Sequence, residues 1–198
     1  MIILDHEQGT DEWFAARLGK PSASAFSRLI TVSGKPSSSA SKYIDELAGE
    51  RLTGESEPFY SNSHMARGTE LEPEARDHYE FVTGNSVKEY GFILDDSQEF
   101  GCSPDGIIQE GGLEIKCPAA STMVKYQRDP QELVKAYYQQ IQGCIWITDS
   151  KWWDAFAYHP NMSHVLIRVE RNEDFITKLA EEVDAAIISI KNHVEKYK

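Results

Sequence analysis

The spacing of apolar and polar residues divides the chain into helical and extended segments. Stretch 174–197 has apolar residues at helical intervals, which predicts a long amphipathic helix. Stretch 131–148 predicts a second helix, because Asp129 is suited to cap it and Pro130 to occupy its first turn. Shorter helices are predicted at 10–19, 21–30, 43–54 and 69–84.

The ends of two of these helices are marked by their residue types. Thr10 is the expected amino-terminal cap of the first helix, and Gly19 follows its last turn. Gly84 is expected to end the helix over 69–84 in the same way. The Ser-, Gly- and Pro-rich stretch 31–42 predicts a surface loop.

Five stretches have strand character, with apolar residues punctuated by Gly, Pro and Asp: 86–96, 99–109, 113–118, 152–159 and 164–171. The order of helices, a run of strands, a helix, a strand pair and a final helix predicts a mixed sheet with helices packed on it. This is an α/β or α+β domain. We find no internal repeat and no linker, so residues 1–198 are expected to form a single domain.

Composition narrows the class of protein. With 198 residues and 40% hydrophobic content, the chain can bury a substantial core. No apolar run approaches the roughly 20 residues that span a bilayer, and "MIILDHEQGT" does not resemble a signal peptide. Three cysteines without CxxC spacing are expected to be buried thiols in a reducing compartment, so we expect a cytosolic protein without a membrane partner.

The net charge of −12 is concentrated in residues 43–99, which hold 14 acidic residues against four basic ones. Such a protein is a poor nonspecific DNA coat, because neutralisation of phosphates drives that kind of binding. DNA could still bind at a local basic surface together with a metal ion.

The candidate chemistry lies in "CSPDGIIQEGGLEIKCP", residues 102–118. Glu114 and Lys116 are two residues apart on one predicted strand, so their side chains face the same side. Gly111 and Gly112 are expected to supply the positive φ angles of a hairpin turn.

The position of Asp105 depends on the length of that turn. A two-residue turn at Gly111 and Gly112 would place Asp105 opposite Pro118, too far from Glu114 to share an ion. A four-residue turn, 109–112, would place Asp105 diagonal to Glu114, where two carboxylates can close around one cation. A metal site therefore requires the longer turn or an equivalent bulge.

Two carboxylates in this arrangement suit Mg²⁺ or Mn²⁺. Such an ion could activate a phosphodiester for hydrolysis, and a lysine beside it could orient the attacking water. The lysine could accept the proton of that water if its pKa were depressed. The alternative is an exposed hairpin with polar residues on its solvent face.

"SPDG" followed by "LEIKCP" resembles the PD-(D/E)xK nuclease motif, in the form found in the lambda exonuclease and YqaJ-type viral recombinase family of alkaline exonucleases. "DEWFAARLGKPSAS", "ARGTELEPEA" and "AYYQQIQGCIWIT", a helix that enters a strand in that family, resemble further segments of the family in the same order. The resemblance implies a restriction-endonuclease-like core, a central mixed sheet flanked by helices.

The same resemblance implies a function. The family members are Mg²⁺-dependent 5′→3′ exonucleases on double-stranded DNA ends, which leave a 3′ overhang for a single-strand annealing protein. Mn²⁺ is expected to substitute, with two ions in each active site, and a homotrimeric ring is expected to enclose the DNA. The expected location is the cytosol of a bacterial host, with a phage or prophage gene.

The resemblance also assigns site residues. Asp105, Glu114, the carbonyl of Ile115 and Glu72 would bind the metal, although Glu70 and Glu74 are equally acidic neighbours of Glu72. Lys116 would handle the attacking water, and Gln140 would lie near the active site. Met65 would be an apolar wedge that parts the terminal base pairs. The 5′-terminal phosphate would be held by Arg17, Ser24 and Ser103.

Each assignment has an ordinary structural alternative. Gln140 lies on an apolar helical stripe and could be a satisfied core amide, and Arg17 could pair with Asp11 or Glu12 on the surface. Ser24 could simply cap a helix, and Met65 could pack as any core residue does. The four tryptophans are expected in the core or an interface.

Two other functions remain open at this level. The chain could be another PD-(D/E)xK endonuclease or repair nuclease, or a catalytically inactive module that binds DNA ends. Three scattered cysteines argue against the four-cysteine iron–sulfur cluster of some relatives, and the complete set of carboxylates and lysine argues against an inactive module.

Overall fold

The computed structural model describes residues 1–56 and 63–198, without the side chains of residues 63–66. The helices in this part of the chain are a 3₁₀ helix (Ala23–Arg28) and α1 (Asp11–Arg17), α2 (Ala40–Thr53), α3 (Ser63–Thr83), α4 (Ala120–Arg128), α5 (Gln131–Thr148) and α6 (Glu173–Tyr197). The strands are β1 (Ile2–Leu4), β2 (Phe92–Leu94), β3 (Gly101–Cys102), β4 (Gly106–Ile108), β5 (Gly111–Lys116), β6 (Trp152–His159) and β7 (Met162–Glu170).

The strands form two sheets. One has the order β1-β2-β3 and is antiparallel throughout. The other has the order β4-β5-β6-β7 and is mixed, because β5 and β6 are parallel while its other pairs are antiparallel. Helices α4 and α5 connect β5 to β6, as a parallel pair requires a long crossover. The predicted mixed sheet flanked by helices is confirmed.

Helix α5 lies at the centre of the core. Its residues Leu133, Ile141, Cys144 and Ile145 are almost completely buried, in contact with a cluster that includes Phe26 of the 3₁₀ helix. Because these positions recur at helical spacing, the segment "CIWIT" continues the helix, and the expectation that it enters a strand is wrong. The helix ends at Asp149, which adopts a left-handed conformation with φ 53°.

The predicted helix ends agree with the structure. The Thr10 side chain accepts a hydrogen bond from the Trp13 backbone N–H, and Gly19 and Gly84 have φ angles of 65° and 71°. Two predictions about helices were incomplete, since 21–30 contains only a 3₁₀ turn and the helix over 69–84 begins at Ser63. The sequence reasoning missed β1 and α4. No described helix is long and apolar enough to cross a membrane.

The hairpin between β4 and β5 differs from both turns considered above. Its pairs are Gly106 with Leu113, Ile107 with Gly112, and Ile108 with Gly111, so the turn consists of residues 109–110 alone. The expected four-residue turn is wrong. When the register is continued by one residue, Asp105 lies directly across from Glu114, which brings the two acids closer than the diagonal arrangement would.

The two glycines of this hairpin have a packing role. Gly111 and Gly112 lie within β5, and the expectation that they supply positive φ angles is wrong. A Cβ atom at Gly111 would lie 2.4 Å from the Trp152 ring, and one at Gly112 would lie 2.3 Å from the Trp153 ring. The absence of a side chain lets two tryptophans of β6 cover β5.

Replacing Gly112 with alanine is therefore expected to lower the free energy of unfolding by about 2–3 kcal/mol, because fully buried Trp153 has no space to move. Urea denaturation measures the change. Gly49→Ala is the matched control: apart from adjacent residues and the backbone of its own helix, no atom lies within 4 Å of the added Cβ. Alanine in helix α2 is expected to stabilise the protein by about 0.5–1 kcal/mol. Equal stability of the two variants would contradict the packing role.

Candidate active site

Glu114 is the most buried acid of the hairpin, with 1% of its surface exposed. Its Oε1 atom accepts a hydrogen bond of 2.7 Å from Gln140 Nε2 of α5 and pairs with the Lys116 ammonium. Its Oε2 atom is buried and finds no hydrogen-bond partner among the described residues. A buried carboxylate oxygen without a donor is costly, so this atom is a candidate ligand for a cation.

Asp105 and Glu72 approach Glu114 from two other segments. Asp105 precedes β4, and its Oδ2 atom accepts a hydrogen bond of 2.6 Å from the Ile115 backbone N–H. Glu72 lies on α3, where Arg76 of the next helical turn donates to its Oε1 atom at 2.8 Å. Arg76 also donates to the backbone carbonyl of Asp105, which ties α3 to the strand that follows.

Burial raises the pKa values of the three carboxyl groups, and neighbouring carboxylates raise those of Glu72 and Glu114 further. Burial, with the nearby charge of Asp105, raises the pKa of Glu72 to about 7. Burial raises the pKa of Glu114 to about 7 against the opposing effect of Lys116, and burial likewise raises that of Asp105. Three acids held this close favour a bound cation, which would relieve their repulsion.

Lys116 has a pKa above its usual value. Burial alone would lower it, but the charges of Glu114 and Asp105 and the hydrogen bond to Glu114 outweigh that effect. Its ammonium lies 4.9 Å from the centre of the Tyr137 ring. Lys116 could accept a proton only if its pKa were depressed, and the structure does not meet that condition. A charged lysine can instead orient water and stabilise negative charge.

Two clefts meet at Glu72 and Asp105. A cleft of about 660 Å³ is lined by Lys116 and Tyr137, and by Ile115, whose carbonyl is a predicted ligand. The other, about 580 Å³, is formed with the amino-terminal loop, residues 5–9. Glu72 and Asp105 can thus be reached by a substrate.

The residues fit a divalent cation in donor type but do not form a finished site. Within residues 1–56 and 63–198, no cluster of three or more His, Cys, Asp or Glu side chains is arranged to hold a metal ion. The physical reason is that protein cations take up some of the oxygens, since Lys116 pairs with Glu114 and Arg76 with Glu72. Hard carboxylate oxygens and the unpartnered Oε2 atom of Glu114 are what Mg²⁺ or Mn²⁺ requires.

The residues predicted to hold a phosphate form a second cluster. Arg17 NH1 donates to Ser103 Oγ at 2.9 Å, and Arg17 NH2 donates to Ser22 Oγ at 3.4 Å. Ser22 Oγ in turn lies 3.2 Å from Ser24 Oγ. No described ion pair joins Arg17 to Asp11 or Glu12. Since Ser103 is two residues before Asp105, this cluster borders the carboxylates.

Sequence reasoning missed several residues of the two clusters, namely Trp13, Ser22, Arg76 and Tyr137. Trp13 was expected to be a core or interface residue, yet its indole N–H donates to Ser103 Oγ at 3.0 Å. Nothing in the local pattern marks Trp13, whereas Tyr137 shares the helical stripe of Gln140. The predicted wedge residue Met65 lies in the first turn of α3, where side chains are outside the described part of the chain.

The model of the YqaJ-like viral recombinase domain matches residues 12–151, which include both clusters. The chain belongs to this family. Among curated proteins, no sequence matches it.

Solved structures agree with the family. The alkaline exonuclease LHK-Exo from Laribacter hongkongensis is 34% identical, with a TM-score of 0.82, and the alignment covers 94% of this chain and 95% of that one. LHK-Exo in complex with dAMP is 36% identical at a TM-score of 0.83, with the same coverage. A phage related exonuclease from Haemophilus somnus 129PT, 17% identical, shares the fold, with a TM-score of 0.76 over 90% of this chain and 96% of that one. The PD-(D/E)xK fold of this YqaJ-type chain is confirmed.

Proposed function

We propose that this protein is a Mg²⁺-dependent 5′→3′ exonuclease that acts on double-stranded DNA ends, releases 5′-mononucleotides and leaves a 3′ overhang. The observation that carries the proposal is that Glu72, Asp105 and Lys116 line one cleft and that buried Glu114 pairs with Lys116, beside the Arg17 cluster. The relative LHK-Exo is described as an alkaline exonuclease and has been crystallised with dAMP, a mononucleotide, which supports the same activity here.

The carboxylates supply the negative charge that would hold the metal ion. A divalent cation held by Glu72, Asp105, Glu114 and the Ile115 carbonyl would polarise the scissile phosphodiester, and we propose two such ions in each site, as in the related exonucleases. Gln140 fixes the orientation of Glu114 through its 2.7 Å hydrogen bond, and the Ile115 N–H fixes Asp105. These contacts hold the acids in place before DNA arrives.

Lys116 remains protonated and faces the same cleft. The charged ammonium of Lys116 orients the attacking water and stabilises the negative charge that develops on the phosphate. Arg17, Ser24 and Ser103 bind the 5′-terminal phosphate, so that the first phosphodiester of the strand lies at the carboxylates. The position of the cleaved bond is thereby set by the end of the strand.

The resemblance to the lambda exonuclease family supports a proposal for the assembly. We propose a homotrimeric ring that encloses DNA, because enclosure would allow long runs of hydrolysis without tight contacts to the base sequence. With a net charge of −12, the basic residues are expected to gather on the inner surface of the ring. A phage or prophage gene, the host cytosol and a single-strand annealing partner fit a viral recombinase.

A comparison of linear and closed circular duplex tests the activity. With Mg²⁺ or Mn²⁺, linear DNA with a 5′-phosphate is expected to release 5′-mononucleotides, and EDTA is expected to stop the release. Cleavage of the closed circle would instead indicate an endonuclease or repair nuclease. Binding of ends without nucleotide release under any divalent metal would indicate an inactive end-binding module.

Glu72 can be distinguished from its acidic neighbour by a matched pair of variants. Glu72→Gln is expected to lower nuclease activity about 10- to 100-fold and to raise the Mg²⁺ concentration needed for half-maximal rate, because it removes a charge at the cleft. Glu70→Gln removes the same charge from an exposed position on α3 and is expected to leave the rate unchanged. Equal losses in the two variants would mean that Glu72 acts only through general surface charge.

A further inference from the structure

The hydroxyl group of Ser103 has a fixed polarity. Its Oγ atom accepts two hydrogen bonds from groups that can only donate, the Trp13 indole N–H at 3.0 Å and the Arg17 guanidinium at 2.9 Å. A serine hydroxyl has two acceptor lone pairs and one O–H donor. With both lone pairs occupied, Ser103 can only donate to a further ligand.

Trp13 is held firmly enough to impose this polarity. Its N–H is shared with the Gly91 backbone carbonyl at 3.1 Å, and its own backbone N–H is bonded to the Thr10 cap. The face of the indole ring also carries the Arg17 guanidinium, 4.1 Å from the ring centre. One side chain thus orients both the cation and the hydroxyl of the cluster.

The remaining partners of Arg17 strengthen the anion preference of the cluster. Ser22, only 5% exposed, accepts from Arg17 through its Oγ atom, while its backbone N–H is bonded to the Tyr43 hydroxyl. Burial lowers the pKa of Arg17 from its usual value, since the charge is removed from water. An anionic ligand would replace the lost hydration of that buried guanidinium.

We propose that Trp13 is a positioning residue that makes Ser103 a pure donor, so that the cluster selects a 5′-terminal phosphate over a 5′-terminal hydroxyl. The inference rests on the proposed function, in which this cluster receives the strand end. A phosphate has only acceptor oxygens and fits a set of donors. A terminal hydroxyl would gain from donating to Ser103 Oγ, but both lone pairs there are taken.

The test uses one duplex with either a 5′-phosphate or a 5′-hydroxyl, and Trp13→Phe, which keeps an aromatic face for Arg17 and removes the N–H. Dissociation constants are measured by fluorescence anisotropy in Ca²⁺ with the DNA verified intact, and kcat and KM are measured in Mg²⁺. The preference for phosphate in binding is expected to fall about tenfold, the factor that corresponds to one hydrogen bond of ordinary strength. The loss is expected mainly in KM.

Two controls separate positioning from damage to the fold. Phe14→Leu removes the ring that contacts Trp13 edge-on at a centroid distance of 4.9 Å. This variant is expected to keep the preference for a 5′-phosphate over a 5′-hydroxyl. In a Ser103→Ala background, Trp13→Phe is expected to change the preference by less than about twofold, because it acts through Ser103. If Trp13→Phe does not fold, site-specific benzothienylalanine at position 13 keeps the indole shape without the N–H.

Three outcomes would overturn the inference: no preference in the wild-type protein, an unchanged preference without the N–H at position 13, or an equal loss in the Ser103→Ala background. Failure of the nuclease proposal gives a different result. In that case nucleotide release is absent for both ends in Mg²⁺, while the ratio of dissociation constants in Ca²⁺ still reports on Trp13.

Discussion

Lys116→Met is expected to lower kcat by at least about a hundredfold while Mg²⁺ still binds, because it removes the cation that stabilises the phosphate without removing a metal ligand. The Lys116 ammonium pairs with Glu114 in the structure and so competes with any second cation for that carboxylate. Mg²⁺ affinity is therefore expected to be unchanged or higher in the variant. Isothermal titration calorimetry and single-turnover hydrolysis measure the two effects separately.

The control for Lys116 is Lys135→Met. Lys135 also pairs with a glutamate, Glu132, but it is exposed on α5, outside the clefts. The Lys135→Met variant is expected to retain full nuclease activity. Loss of both Mg²⁺ binding and activity in Lys116→Met would show instead that the lysine maintains the structure of the site. A thermal melt in Mg²⁺ should accompany the assay, since removing one partner of a buried pair destabilises proteins by about 3–5 kcal/mol.

Asp105→Asn is expected to abolish Mg²⁺-dependent hydrolysis, with a loss on the order of a thousandfold, because the carboxylate at the junction of both clefts loses its charge. The amide oxygen can still accept from the Ile115 N–H, so the hairpin should remain intact. The metal-free protein is expected to be no less stable than the wild type, since the Asp105 charge repels Glu72 and Glu114.

Asp96→Asn makes the same chemical change at an exposed site, where the carboxylate pairs with the amino-terminal group of Met1. It is expected to leave hydrolysis and Mg²⁺ binding unaltered. The measurements are nucleotide release against Mg²⁺ concentration and the melting temperature in EDTA. A large fall in the melting temperature of Asp105→Asn would mean that Asp105 holds the hairpin together and that lost activity reflects lost structure.

The local features of the fold were readable from the sequence. Helices α5 and α6 follow from apolar spacing, and Thr10, Gly19 and Gly84 mark helix ends, because these signals lie within a few residues of one another. The short strand β1 and helix α4 were missed. β1 has only three residues, and it exists because it pairs with β2, about 90 residues later in the chain.

The hairpin shows where local reasoning fails. Adjacent glycines favour a turn, yet Gly111 and Gly112 are required by Trp152 and Trp153, which a parallel crossover brings over them. The turn is consequently shorter than expected. Asp105 still reaches Glu114, by a register that spacing alone did not single out.

The sequence by itself determined the family, the acids and lysine of the hairpin, and the helices that support them, since motif and periodicity are written in consecutive residues. Only the tertiary structure decided which groups meet. Gln140 contacts Glu114 across 26 residues, and Trp13 contacts Ser103 across 90. These contacts depend on how separate elements pack, so the partners of Glu114 and the hydrogen-bond polarity of the Arg17 cluster came from the fold.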